Sequence, residues 1–134
     1  MSGNLPENIC LGGKLNAFTA FNNHFTGSIP KSLRNCSTLQ RVRLEGNQLT
    51  GNISEEFGIY SNLVYMDLSN NKLVGKLSSS WGQCPELTIL NISNNKCNNR
   101  IFIVGNYWFL RKFRFNRGFT FFNVTSRFGI PSIL

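Results

Sequence analysis

The chain has 134 residues, 41% of them hydrophobic, and a formal net charge of +8 at pH 7. That is one domain's worth of chain with enough apolar residues for a core. No apolar run reaches the ~20 residues of a membrane span, and the nearest, Ile101 to Leu110, is interrupted by Gly105 and Asn106. Met-Ser-Gly-Asn-Leu-Pro at the start does not read as a secretion signal. The charge is unevenly placed: residues 1–96 carry eight Lys/Arg against six Asp/Glu, whereas 97–134 carry six basic residues and no acidic ones. The last segment also holds eight of the twelve phenylalanines, so two unlike pieces meet near Lys96.

Along residues 1–96, one interval governs the order of elements. Asn23, Asn47, Asn71 and Asn95 recur every 24 residues, as do Gly3, Gly27, Gly51 and Gly75, and Leu15, Leu39, Leu63 and Leu87. Stacking at this interval aligns Phe18, Val42, Met66 and Leu90, then Ala20, Leu44, Leu68 and Ile92, then Phe25, Leu49, Leu73 and Cys97. Each column is apolar, so each repeat contributes one edge to a shared core. The alternating stretches predict short strands centred on Phe18–Ala20, Val42–Leu44, Met66–Leu68 and Leu90–Ile92, parallel and about 4.8 Å apart. The asparagine after each strand can donate and accept, which suits it to satisfy buried turn backbone. All four are assigned a structural role and no ligand.

A period of this length with L-x-x-L-x-L-x-x-N-x-L is the pattern of leucine-rich repeats. The expected fold is an α/β solenoid of about four repeats, right-handed, with a parallel sheet on its concave face and a non-repeat tail. Ser-Gly-Asn-Leu-Pro (2–6), Thr-Gly-Ser-Ile-Pro (26–30) and Thr-Gly-Asn-Ile-Ser (50–54) resemble the x-Gly-x-Ile-Pro step of plant-type repeats. The chain is similar to ectodomains of plant leucine-rich-repeat receptor-like kinases over residues 2–96. The resemblance implies a module that binds an extracellular peptide or protein, with a co-receptor as a further partner, in a parent protein at the plasma membrane with its repeats outside the cell. Receptor-like proteins without a kinase and secreted polygalacturonase inhibitors share the repeat and stay open as alternatives, as does a non-functional gene fragment. The family's N-terminal cap and kinase motifs are not found here, so the expectation is a fragment truncated at both ends, without enzymatic activity.

Residues between the inward-pointing ones face the concave side, because side chains alternate along a strand. They form the columns Ala17, Arg41, Tyr65, Ile89; Thr19, Arg43, Asp67, Asn91; and Phe21, Glu45, Ser69, Ser93. Arg41 and Arg43 place two guanidinium groups on one face of one strand, a fork suited to a carboxylate. The pair is similar to the Arg-x-Arg by which several plant receptor kinases hold a peptide's C-terminus. A surface network of Arg43 with Asp67 and Glu45 explains the same residues without a ligand. Phe21 and Tyr65 are candidate anchors in the same trough.

Catalytic chemistry finds no support: His24 is isolated at a turn, Glu55 and Glu56 are adjacent and diverge, and no His/Cys/Asp spacing fits a metal. No cofactor is expected. Cys36 and Cys84 share an inward column two repeats apart, about 10 Å by strand spacing and beyond disulfide reach. Both are expected as buried thiols, Cys10 falls at a convex position, and no disulfide is predicted. Asn35, Asn52, Asn91 and Asn123 head glycosylation sequons, with Asn91 on the concave strand. In the tail, Phe113, Phe115, Phe119 and Phe121 alternate around Asn116-Arg117-Gly118, a hairpin signal. A non-functional tail from translated non-coding sequence, disordered or partly ordered against the exposed last repeat, is the preferred reading for 97–134. A capping hairpin comes second, and no nucleic-acid partner is expected.

Overall fold

A computed structural model describes residues 1–75, 81 and 83–96, and the strand backbone at 97, 111–115, 118–123 and 132–133. Four short strands carry the repeat: β2 (Ala17–Thr19), β4 (Arg41–Arg43), β6 (Tyr65–Asp67) and β8 (Ile89–Asn91). Each pairs in parallel with the residue 24 positions on, as in Ala17 with Arg41, Arg41 with Tyr65 and Tyr65 with Ile89. They begin one residue earlier than the expected centres, but the ladder runs on, with the N–H groups of Ala20, Leu44 and Leu68 donating to Arg43, Asp67 and Asn91. The sheet continues through β10 (Arg111–Phe115), parallel to β8, then antiparallel through β11 (Gly118–Asn123) and β12 (Ser132–Ile133).

A second set of pairings forms on the other side of each turn. β1 (Ser2–Asn4), β3 (His24–Gly27) and β5 (Gln48–Leu49) make a parallel sheet, and β7 (Val74–Gly75) pairs with β9 (Lys96–Cys97). These strands match residues 22 apart, such as Ser2 with His24 and Val74 with Lys96. They use the repeated Gly-x-Ile step, whose glycines have left-handed φ. At Gly75 (φ 98°) a Cβ would run into the Asn52 side-chain amide, so any other residue would strain the backbone and displace that side chain. α-Helix is scarce: among the described residues it is confined to α1 (Lys31–Arg34), which opens after Pro30 and buries Leu33.

The core lies between the two sheets. Val42, Leu44, Met66, Leu68 and Leu90 come from the concave strands, Leu39, Leu63 and Leu87 precede them, and Leu49, Ile53 and Leu73 follow. Phe57 and Trp81 also pack there, their rings tilted by 46° with centroids 5.4 Å apart. Burial of these columns is the main favourable term, at about 25 cal/mol per Å² of apolar surface removed from water.

The asparagines work as rungs. Asn71 Nδ2 donates to the carbonyls of Leu44 (2.9 Å), Leu68 (3.1 Å) and Ser69 (3.1 Å), and its Oδ1 accepts from the Leu49 N–H at 3.0 Å. Asn47 and Asn95 repeat the arrangement with Ala20 and Phe25, and with Leu68 and Leu73. Asn23 is different. It donates to the Phe21 carbonyl and accepts from the Met1 amine at the solvent-facing edge. The residue before each rung turns left-handed: Asn22, Gly46, Asn70 and Asn94 have φ between 53° and 73°. Asn and Gly are the residues that tolerate this region best, which accounts for a second Asn/Gly column at the repeat interval.

The cysteines require a correction. Cys10 is disulfide-bonded to Cys36 with Cα atoms 5.9 Å apart, whereas Cys84 stays a buried thiol that accepts from the Tyr60 N–H and whose pKa is pushed up by burial. The column argument places Gly12, not Cys10, beside Cys36. The turns at 7–13, with Leu11 N–H donating to Asn8 and Gly13 N–H to Cys10, bring Cys10 across.

Candidate functional site

The concave strands carry the candidate site in the three outward columns. At the β2 edge the surface is open: Ala17, Thr19 and Arg41 are exposed, and Phe21 retains 39% of its surface. Towards β8 it closes, with Asp67 at 8% and Asn91 at 5% exposure.

Arg43 lies with its guanidinium carbon 4.0 Å from the Phe21 ring centroid, and Arg41 takes the same position over Tyr65 at 4.6 Å. Both rings therefore hold a cation on their face, an arrangement worth about 0.5–1 kcal/mol where exposed. Arg43 also pairs with Glu45. Its Nε donates to Oε1 at 2.8 Å and its Nη2 closes on the same oxygen. That contact raises the Arg43 pKa, opposed only in part by burial. Arg41 has no ion pair among the described residues, and its guanidinium lies over the Tyr65 ring on the exposed face.

Asp67 stands beside Arg43 in register but is bonded elsewhere. Its Oδ1 accepts from the Ser69 N–H (3.0 Å) and hydroxyl (2.6 Å), and its Oδ2 from Asn91 Nδ2 (3.3 Å) and the Tyr65 hydroxyl (3.4 Å). Burial, followed by the charge of Asp67, raises the Tyr65 pKa. The expected Arg43–Asp67–Glu45 network thus reduces to Arg43–Glu45. A carboxylate with a serine two residues on is captured locally, before a neighbouring strand can use it.

The same local turn governs two of the sequons. Asn52 Oδ1 accepts from the Ser54 N–H and hydroxyl, and Asn91 Oδ1 from those of Ser93. Asn91 is in addition buried and donates to Asp67, which leaves no room for a glycan in the folded chain. Asn35, at the end of α1, is exposed, and Asn52 is half-buried. The side chain of Asn123 lies outside the described residues. His24 is exposed on β3. Among the described residues, no group of three His, Cys, Asp or Glu gathers as for a metal, and no helix is long and apolar enough to cross a membrane.

Residues 38–59 and 62–84 match the family model of the Leucine Rich Repeat. No curated protein matches the sequence. Solved structures do. The Arabidopsis receptor kinase HAESA, crystallised with the peptide hormone IDA and the co-receptor SERK1, superposes with a TM-score of 0.68 at 35% identity over 72% of this chain. A TDR receptor gives 0.67 at 38% identity over 72%. The ectodomain of the receptor kinase SOBIR1 from Arabidopsis thaliana gives 0.68 at 29% over 75%. The matched part spans 16% of the HAESA chain, 17% of the TDR chain and 55% of the SOBIR1 chain. The rung asparagines, the 24-residue strand register and these matches together make the described part of the chain a run of leucine-rich repeats, similar in fold and sequence to the ectodomains of plant receptor kinases.

Proposed function

We propose that the concave face of these repeats holds an extracellular peptide or protein ligand for a receptor kinase of the plasma membrane, together with a co-receptor. The observation that carries this reading is Arg41. It is an exposed guanidinium in the trough, held over the Tyr65 ring and without a carboxylate partner among the described residues, one strand step from the Phe21–Arg43 pair. A cation already positioned on an aromatic face loses little side-chain freedom when it meets an anion. Arg43, neutralised by Glu45, orients rather than attracts. The disulfide between Cys10 and Cys36 supports an oxidising compartment such as the cell exterior. HAESA, crystallised with a peptide hormone and a co-receptor, supplies the ligand class by analogy.

The test is binding of peptides with free or amidated C-termini to the wild-type chain and to Arg41→Ala. Loss of a desolvated charge-assisted contact costs on the order of 2–5 kcal/mol of binding, against under about 1 kcal/mol of stability for a solvated surface charge. Equal affinity of both proteins for every peptide that binds would remove Arg41 from the site.

A further inference from the structure

Glu45 is half-served. It stands in the third outward column, between Phe21 one repeat back and Ser69 one repeat on, and only 9% of the residue is exposed. Its Oε1 takes both contacts from Arg43. Its Oε2 is buried and meets no hydrogen-bond donor among the described residues. A carboxylate oxygen taken out of water without a donor is costly, and native structures leave few of them. The neighbouring donors are committed elsewhere. The hydroxyls of Ser69 and Tyr65 are given to Asp67, and the Asn47 amide to the carbonyls of Ala20 and Leu44.

The charge of the trough is uneven in the same sense. Asp67 adds a second carboxylate at the Glu45 end, hydrogen-bonded to the neutral groups of Ser69, Asn91 and Tyr65. The charges of both acids reach Arg43 and Tyr65. Two carboxylates there face one guanidinium, whereas Arg41 has no ion pair among the described residues. Arg41 and Glu45 are four residues apart on one face, about 13 Å along the strand direction. The face is thus open to an anion at Arg41 and short of a cation at Glu45. The side chains beside Oε2 that are free to yield are surface ones: Arg43 keeps 31% of its side-chain surface and Phe21 39% of its own.

We propose that Glu45 selects ligands with a basic side chain, its Oε2 receiving the ammonium or guanidinium of a lysine or arginine in a peptide whose carboxylate meets Arg41. This rests on the reading of the concave face as the ligand surface and adds the ligand's second charge. Arg43 stays on Oε1, since each carboxylate oxygen carries its own lone pairs. An extended chain advances about 3.3–3.6 Å per residue, so a basic residue about four positions before the C-terminus matches the 13 Å step.

The probe is a heptapeptide of Gly, Ser and Leu with a free C-terminus, a neutral BODIPY label at its N-terminus and one arginine four positions before its end. Its comparison carries citrulline there, which keeps the shape and removes the charge. Anisotropy titration of the full chain should show the arginine peptide binding about tenfold tighter or more, as for one charge-assisted contact. That advantage should vanish in Glu45→Gln and survive in Glu55→Gln, which removes equal charge at an exposed position outside the trough. In the wild-type chain it should also fall when the arginine is moved next to the C-terminus. An advantage that is absent (a water alone serving Oε2), that survives Glu45→Gln, or that is equal at both arginine positions overturns this inference. The concave-face reading still stands in those cases if Arg41→Ala weakens both peptides. Indifference of both peptides to Arg41→Ala, or no saturable binding at millimolar peptide, overturns both.

Discussion

Asn71→Ala tests whether the rungs carry the fold. In the native chain the amide of Asn71 spans two repeats, donating to Leu44, Leu68 and Ser69 and accepting from Leu49. The carbonyls are insured: Leu44 also accepts from Asn47, Leu68 from Asn95 and Ser69 from the Gly46 N–H. The Leu49 N–H, on a residue with no exposed surface, is left without its partner. An orphaned buried donor costs about 1–3 kcal/mol, and each donor bond lost to a carbonyl that keeps a second donor costs about 0.5–1 kcal/mol more. A total of roughly 2.5–6 kcal/mol follows, a large share of the 5–15 kcal/mol that stabilises a typical domain. Asn23→Ala is the matched control, since its amide sits at the open edge and should cost about 1 kcal/mol or less. Asn71→Asp separates the two roles, because it keeps the acceptor for Leu49 but sets a second oxygen against three carbonyls. It should be at least as damaging as Ala. Urea titration of the full chain reads all three through the midpoint at constant slope. The reasoning fails if Asn71→Ala costs no more than Asn23→Ala, or if Asp is tolerated.

Opening the Cys10–Cys36 disulfide, by reductant or by Cys10→Ser, should destabilise the chain by about 3 kcal/mol, as expected for a loop closed over a sequence separation of 26; a urea midpoint unchanged by reductant would refute this. Tyr60 is fully buried, its hydroxyl donates to the Leu33 carbonyl at 3.0 Å, and burial pushes its pKa up to about 12 from 10.0. A raised folded pKa means that its contribution is complete below pH 10 and is lost as pH rises from 10 towards 12, at up to about 1.4 kcal/mol per pH unit. Denaturation curves across that range should show the loss in wild type and not in Tyr60→Phe. Asp67→Ala should cost about 2–3 kcal/mol of stability, because it strips partners from Ser69, Asn91 and Tyr65. It should not raise affinity for a carboxylate, as it would if Asp67 were the counter-ion of Arg43. In a chain secreted from a glycosylating host, peptide mass spectrometry should find Asn91 unmodified, with any glycan confined to exposed positions such as Asn35.

Most of the concave sheet was legible because one number fixes it. A 24-residue offset sets the pairing of β2, β4, β6 and β8, and it also sets which side chains face inward, so columns read as contacts. The other side of each turn does not obey that number. There the strands pair at an offset of 22, and the disulfide joins residues 26 apart. Reading straight down the columns puts Gly27 beside Gly51, whereas its partner is Leu49. A shift of two residues keeps every side chain on its own face, since the strand period is two. The apolar columns therefore carry no trace of it, and the second sheet stayed invisible. The left-handed column Asn22, Gly46, Asn70, Asn94 was in view as composition, and only its conformation was missed.

The site divides along the same line between what spacing encodes and what short-range chemistry decides. Alternation identifies Arg41 and Arg43 as neighbours on one face, and their columns put aromatic residues within reach. Which carboxylate Arg43 takes is settled by competition among nearby donors. Asp67 has a serine two residues on, as Asn52 and Asn91 do, and in all three the side-chain oxygen accepts from that serine's N–H and hydroxyl. Glu45 is followed at that distance by Asn47, whose amide is spent on the rung, so its carboxylate is left for Arg43. The motif Asp/Asn-x-Ser thus removes an acid from the trough, and its absence at Glu45 leaves one there. Arg41, with neither acid to meet, is the cation of this strand that has no ion pair among the described residues. That makes it, more than the pair, the position at which a change should be felt in binding.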